Sequence, residues 1–204
     1  MRALWPSRMS DLPAGISSAG NGPRWLNAVA DRIDSITRAI GKVVSWLTLA
    51  TVLICFATVY LRYAMHIGLI WLQELYAWTH VAAITMGAGY VLLKGGFVRV
   101  DLVYAHLSKR GKAWVDLIGT IVLMGPFLYM MAIAGFSFFR MSWMMNEASQ
   151  QDTGLPWLWL LKSMLLAFVF AVGLQGVSIV ARSLATILSP APDEKATHGP
   201  AGEV

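Results

Sequence analysis

The sequence predicts an all-α membrane protein with four transmembrane helices. Of the 204 residues, 57% are hydrophobic and only 13% are charged, which is too apolar for an ordinary soluble domain. The apolar residues also come in unbroken stretches, and about 20 helical residues cross the hydrocarbon core of a bilayer. The predicted spans within a membrane domain at residues 25–185 are 43–61, 70–93, 114–139 and 155–180.

Two segments precede the first span. Residues 1–24 are rich in Gly, Pro, Ser and Arg and have no apolar run, so we expect a disordered tail and no signal peptide. Residues 25–42 place apolar side chains at helical spacing, namely Leu26, Val29, Ile33, Ile36 and Ile40. This pattern predicts an amphipathic helix on the membrane surface. A solvated helix that packs on a partner is the alternative.

The middle loop and the C-terminal segment complete the organisation. In the middle loop, Leu102, Val103 and Leu107 form an apolar face, and Lys109 and Arg110 form a polar face. This pattern predicts a short amphipathic helix in the loop. We expect this helix to be separated from the third span by the glycine at position 111. Residues 186–204 are rich in Pro, Ala and Gly and are predicted to be a second disordered tail.

Positive charges are distributed asymmetrically about the spans. One side holds most of them: Arg2, Arg8, Arg24, Arg32, Arg38 and Lys42 before the first span, and Lys94, Arg99, Lys109, Arg110 and Lys112 in the middle loop. The positive-inside rule therefore places both termini and the middle loop in the cytoplasm. This topology explains the net charge of +5 without a nucleic-acid partner.

Two ionisable residues lie within predicted spans near the outer surface. Glu74 is a candidate functional residue, because a carboxylate at membrane depth is costly. Three interpretations of Glu74 are open. It is a proton or cation site, it pairs with a residue of another helix, or its side chain extends outward to the membrane surface. For Lys162, the candidate partners are Glu74, Glu147 and Asp152. The alternative is that its flexible side chain carries the charge to the membrane surface. Of these, a Glu74–Lys162 pair would lock the second and fourth spans together.

Small and uncharged polar residues within the spans favour close helix packing and interhelical hydrogen bonds. They are Gln175, deep in the fourth span, and Thr85, Gly87 and Gly89 in the second.

Other candidates carry weaker chemistry. His80 is predicted to face protein, because it shares a helical face with Gln73, Ala77, Ile84 and Gly87. A haem role for it is disfavoured, since the predicted span interiors hold no second histidine. The single cysteine, Cys55, excludes a disulfide framework. No hydrolase, zinc-protease or phosphate-loop motif is present, so nothing supports an enzyme.

Three motifs together resemble a known family. They are Trp71-x-x-Glu74-Leu75, the small residues at 86–89, and Gly96-Phe97-Val98-Arg99-Val100-Asp101; the segments at 146–149 and 155–157 extend the resemblance. The sequence resembles the small membrane subunit (the Q, or DctQ-like, component) of tripartite ATP-independent periplasmic (TRAP) transporters. The resemblance covers about residues 40–185.

The resemblance implies a role in transport rather than catalysis. It implies a bacterial inner-membrane scaffold for a larger elevator-type membrane subunit, which holds the sodium and solute sites, and a periplasmic solute-binding protein that delivers an organic acid. This chain then needs no cofactor of its own, and its partners are those two proteins and membrane lipids. Candidate structural or interface residues are Trp71, Glu74, Arg99, Asp101 and Lys162.

Two other functions are compatible with parts of the sequence. The first is a self-contained small exporter that uses Glu74 as a proton site. The second is an electron-transfer subunit that binds haem through His80. The identity of the solute is not encoded in any feature of this chain.

Overall fold

The computed structural model describes residues 23–95 and 107–189, and the regular elements in these ranges are helical. Helix α1 is Arg24–Ala64, α2 is Ile70–Leu93, α3 is Lys109–Gly119, α4 is Gly125–Met144 and α5 is Leu158–Leu188. A π-helical turn at Thr120–Met124 joins α3 to α4, so these two form one continuous rod. The predicted helical class is confirmed for these residues, which form four rods.

The first rod corrects a boundary predicted from the sequence. The predicted surface helix at 25–42 and the predicted span at 43–61 lie in one continuous helix of 41 residues, α1. Its length is about 60 Å at 1.5 Å per residue, twice the thickness of the hydrocarbon core. Leu26, Ala30 and Ile33 are buried, and Leu26 and Ala30 pack with Ala181 and Ala185 of α5. Part of the apolar face predicted to contact lipid therefore contacts protein.

Helices α1 and α2 form an antiparallel pair. The hydroxyls of Thr51 and Thr79 are hydrogen-bonded at 3.0 Å, and a Cβ placed on Gly41 would lie 2.5 Å from the ring of Tyr90. Between them, Met65–Leu69 reverses the chain through His66, which adopts a positive φ of 60°. The Ile67 N–H closes this turn by donating to the Leu61 carbonyl at 3.0 Å.

Helix α5 packs parallel to α2 and antiparallel to α1. Gly89 of α2 approaches the backbone of α5 so closely that a Cβ there would lie 2.7 Å from the Ala171 carbonyl oxygen. Gly87 is likewise buried, against Val44 of α1. The small-residue segment of α2 therefore has the close-packing role predicted for it, because glycine lets two backbones approach.

The third rod begins earlier than its predicted span. Ser108 caps α3, accepting the Gly111 N–H at 3.1 Å, so Gly111 lies in the first turn instead of separating two helices. Pro126 follows the π-helical turn after one intervening residue, Gly125. Since proline has no N–H to donate, a wider turn just before it is a common way for a helix to accommodate the residue.

By length and composition, three helices could cross a membrane: Arg24–Ala64, Arg110–Met144 and Leu158–Leu188. Helix α2 is 24 residues long and packs between two of them, but its polar residues lower its hydropathy. Four spans therefore remain a prediction. The two predicted tails, apart from their residues at 23–24 and 186–189, and most of the predicted middle-loop helix lie outside the described residues.

The rods define two ends of the bundle. We call the end with the Met65–Leu69 and Met145–Trp157 connections the connection end. The opposite end, where α1 begins and α5 finishes, is called the terminus end.

Candidate functional site

Glu74 joins α2 to the connection between α4 and α5. Its Oε2 accepts the Leu155 N–H at 2.6 Å, and its Oε1 accepts the hydroxyl of Ser149. Ser149 is also fixed through its backbone, since its N–H donates to the Leu155 carbonyl at 3.1 Å. Among the interpretations of Glu74, the structure therefore supports pairing, with a loop backbone and a hydroxyl as the partners. We call Glu74, Ser149, Gly154 and Leu155 the connection clamp.

Gly154 makes room for this clamp. A Cβ on Gly154 would lie 2.8 Å from Glu74 Oε1 and still closer to Ser149 Oγ. Any larger residue would have to displace one of the two hydrogen-bonding groups. The loop therefore fits around the carboxylate because position 154 has no side chain.

Lys162 forms its ion pair with Glu147, which lies in the same connection. Its Nζ also lies 4.1 Å from the centroid of the Phe138 ring, an arrangement that favours a cation. Of the three carboxylates proposed as partners, the structure thus selects Glu147, and the Glu74–Lys162 pair is wrong. Each of these two residues holds the connection separately.

The hydrogen bond from Lys162 lowers the pKa of the Glu147 carboxyl below its ordinary value of 4.5. The Glu147 backbone is fixed as well, because its carbonyl accepts the Leu158 N–H at 3.0 Å and its N–H donates to the Ser142 backbone carbonyl at 3.1 Å. Residue Asn146 just before it has a positive φ of 45°. Asparagine tolerates this left-handed conformation better than most residues.

Tryptophans gather at the connection end. The rings of Trp143 and Trp159 meet edge to face at 4.5 Å, and Phe139 lies beside both. Trp71 and Trp157 are 41% and 58% exposed on the same end. Amphipathic rings prefer the boundary between lipid and water. The role of Trp71 as a partner contact stays a prediction.

A second polar cluster lies at the terminus end, between α1 and α5. Asp34 Oδ1 accepts the Ser178 hydroxyl at 2.7 Å and the Gln175 amide at 3.1 Å. Its Oδ2 accepts an Arg182 guanidinium N–H at 2.5 Å. The carboxylate is buried, with 5% of its side chain exposed. We call Asp34, Gln175, Ser178 and Arg182 the terminus clamp.

Sequence reasoning found only one member of the terminus clamp. Gln175 was predicted to make interhelical hydrogen bonds, and it does so, since it also accepts the Thr37 hydroxyl at 3.1 Å. Asp34 was assigned to the wet face of a surface helix. The usable signal was the spacing of Gln175, Ser178 and Arg182, which puts three polar residues on one stripe of an otherwise apolar helix.

His80 corrects a further prediction. Instead of facing protein, His80 is exposed, as are Gln73, Ala77 and Ile84; of the predicted face only Gly87 is buried. The buried side of α2 runs through Ala82, Ala83, Gly87 and Gly89. The small residues of α2 therefore pack against α1 and α5, and His80, near the middle of the helix, faces outward.

Two candidate residues, Arg99 and Asp101, lie outside the described residues, so the turn they were expected to fix stays a prediction. Within the described ranges, no group of three or more His, Cys, Asp or Glu side chains lies close enough to hold a metal ion. The four ionisable side chains Asp34, Glu74, Lys162 and Arg182 are each bound to another helix or to a connection.

Long apolar helices tied by polar contacts at both ends define a multi-pass helical membrane protein. A family model for the DctQ component of tripartite ATP-independent periplasmic transporters matches residues 51–186. The chain belongs to this family, which is a transporter component of the inner membrane and not an enzyme family. The comparison with curated proteins gives no match, and neither does the comparison with solved structures.

Proposed function

We propose that this chain is the immobile scaffold subunit of a sodium-coupled, binding-protein-dependent transporter that imports organic acids. In this role it holds the fixed part of a larger, elevator-type membrane subunit. That subunit carries the sodium and solute sites, and a periplasmic binding protein delivers the solute. The family of the chain supports the assembly, and the internal ties of the bundle support the scaffold role.

The observation that carries the proposal is that four charged side chains within the bundle, Asp34, Glu74, Lys162 and Arg182, each bind another helix or a connection. The connection clamp attaches α2 to the chain between α4 and α5, and the terminus clamp attaches α1 to α5. A carboxylate that moves protons must exchange its partners during the cycle. Glu74 instead accepts two hydrogen bonds from a folded connection. This favours a rigid body over the alternative of a proton-coupled exporter.

The distribution of charge supports an orientation. Exposed basic residues gather at the terminus end, namely Arg24, Arg32, Arg38, Lys42, Lys94 and Arg110. At the connection end, Arg62 and Arg140 are offset by Glu147 and Asp152. By the positive-inside rule, the terminus end lies in the cytoplasm and the connection end faces the periplasm. Both chain termini are then cytoplasmic.

Reconstitution into liposomes tests the scaffold role. This chain, the large membrane component and the binding protein are combined under an inward sodium gradient, with radiolabelled carboxylates as solutes. We expect uptake from the complete set and none from liposomes that hold this chain alone. A complex assembled with Glu74→Gln should retain uptake, because the residue ties a loop and carries no ion. Transport by this chain alone, driven by a pH gradient and abolished by Glu74→Gln, would establish the exporter instead.

A further inference from the structure

One exposed face of α2 carries polar side chains that have no hydrogen-bond partner among the described residues. It follows a single helical stripe, with each residue three or four positions from the last, and we call it the α2 stripe: Gln73, Ala77, His80, Ile84, the half-buried Ala88, and Val91. The buried residues Ala82 and Gly89 lie on the opposite side of α2, whereas Gly87, beside the stripe, is buried against Val44 of α1. It holds two polar side chains and two alanines.

His80, one of the two polar residues of the stripe, lies at membrane depth. Thr79, next to His80, is hydrogen-bonded to Thr51 of α1 at 3.0 Å. Thr51 lies in the middle of the apolar stretch of α1 that is long enough to cross a bilayer. His80 is therefore level with the centre of that stretch. A histidine at this depth is costly in contact with lipid, and such residues almost always face protein or water.

The side chains of His80 and Gln73 also make no hydrogen bond within the part of the chain that the structure describes. The hydroxyls on the exposed face of α1 contrast with them. Ser45 and Thr48 donate at 3.0 Å to Gly41 and Val44, the carbonyls one turn earlier, so they tolerate a lipid environment. The His80 imidazole is not satisfied in this way, so at this depth it needs a partner from outside the bundle.

We propose that the α2 stripe is the surface that docks against a transmembrane helix of the large membrane component. This inference rests on the proposed function, because it names the partner that function requires. Ala77 and Ala88 let a second helix approach closely on either side of His80. The partner helix supplies a hydrogen-bonding group at the depth of His80. Lipid supplies no such group in the hydrocarbon region.

Photo-crosslinking in native membranes tests the site on the full complex. A photoreactive amino acid is placed at Ala77 or Ile84 of the stripe, and at Val52 of α1 or Leu123 of the π-helical turn as exposed apolar controls. We expect adducts with the large membrane component from the two stripe positions and not from the controls. Adducts from the controls alone, or adducts with a second copy of this chain, would overturn the assignment.

A pair of substitutions tests the polar contact. His80→Leu should lower the recovery of the large component in a mild-detergent pull-down by roughly 3- to 20-fold, the range expected for one interhelical hydrogen bond. The matched control is Thr48→Val, which removes an internally satisfied hydroxyl from another exposed face and should leave recovery unchanged. Unchanged recovery with His80→Leu, together with adducts only from the control positions, would show that another face docks.

The wild-type pull-down separates the two proposals. If the large component accompanies the wild-type chain but its adducts come from faces other than the stripe, the scaffold function stands and the stripe assignment fails. If the large component never accompanies the wild-type chain, both fail. Stripe adducts together with loss of recovery in His80→Leu support both.

Discussion

Glu74 and Leu155 are joined by a 2.6 Å hydrogen bond from a backbone N–H to a carboxylate oxygen, across 81 positions of the sequence. This contact fixes the connection between α4 and α5 against the first turn of α2. The Glu74 carboxylate, near the end of a membrane helix, therefore has a structural role. Removing it should loosen the connection and leave the helices in place.

Glu74→Ala should therefore destabilise the connection clamp. The variant leaves the Leu155 N–H and the Ser149 hydroxyl without their acceptor, and hydrogen bonds to charged groups contribute about 1.5 to 3 kcal/mol each. We expect hydrogen exchange at the Leu155 amide to accelerate at least tenfold in detergent micelles, since about 1.4 kcal/mol corresponds to that factor. Asp152→Ala, which removes an exposed carboxylate from the same connection, is the control. Equal exchange rates in both variants would contradict the clamp.

Charge reversal should distinguish the partners of Lys162. Lys162→Glu and Glu147→Lys should each lower the thermal unfolding temperature, because each places two like charges together. The double exchange should recover part of the loss, since it restores the pair in reverse. Combining Lys162→Glu with Glu74→Lys should give no recovery. Recovery with Glu74→Lys instead would favour the pairing that the structure excludes.

Acid should weaken the Glu147–Lys162 pair. The pKa of Glu147 is lowered in the folded protein, so its contribution to stability is fully present above the ordinary value of 4.5. That contribution is lost as the pH falls from 4.5 through the lowered pKa of the folded state. Thermal unfolding between pH 3 and pH 7 should show this loss in the wild type. In Glu147→Gln, the part of this acid-induced loss that comes from the pair should be absent. If the unfolding temperature of the variant falls with acid as much as that of the wild type, the assignment is wrong.

The two acidic neighbours on α1 should behave differently. Asp34→Ala removes a buried carboxylate, which leaves Gln175 and Ser178 without this acceptor and Arg182 with only Asp31, and should cost about 3 kcal/mol of unfolding free energy. Asp31 also binds Arg182, at 2.8 Å, but 67% of its side chain is exposed. Asp31→Ala should therefore cost less than about 1 kcal/mol. Denaturant unfolding in detergent measures both, and similar losses would show that burial does not decide the difference.

One added methyl group should test the contact between α2 and α5. In Gly89→Ala the new Cβ would lie 2.7 Å from the Ala171 carbonyl oxygen, and we expect a loss of about 2 kcal/mol. Gly119→Ala makes the same chemical change in α3, where no atom lies within 4 Å. It should be neutral or slightly stabilising, because alanine favours a helix more than glycine does. A loss at both positions would indicate an effect on the helix backbone itself.

Much of the fold could be predicted because lipid imposes a simple rule on sequence. The bounds of α2 coincide with the second predicted span, and the other predicted spans each lie within a single rod except for the first residues of the fourth. The rods extend further than the spans, since polar residues beyond the bilayer continue a helix when a neighbouring helix covers them. Apolar length shows where a helix crosses a bilayer, but it does not show where that helix ends.

The sites were predicted less completely. Glu74 and Lys162 could be identified from their depth, but each had several carboxylates or donors within reach of the same surface. Asp34 could not be identified as a buried residue from the sequence. It lies among other charged residues in a segment with an amphipathic pattern, so it was expected on the polar face. It is buried only because α5 extends to the same level as the start of α1 and presents Gln175, Ser178 and Arg182 to it.

The sequence by itself determined that this protein is a helical membrane protein of the DctQ family, since long apolar segments and the motif residues are properties of the chain alone. Only the tertiary structure decided that Lys162 binds Glu147, that Glu74 holds Leu155 and that His80 faces outward. The physical reason is that hydrogen bonds and ion pairs act over a few ångströms. Which residues come that close depends on how the helices are rotated and packed, and helical periodicity leaves that rotation open.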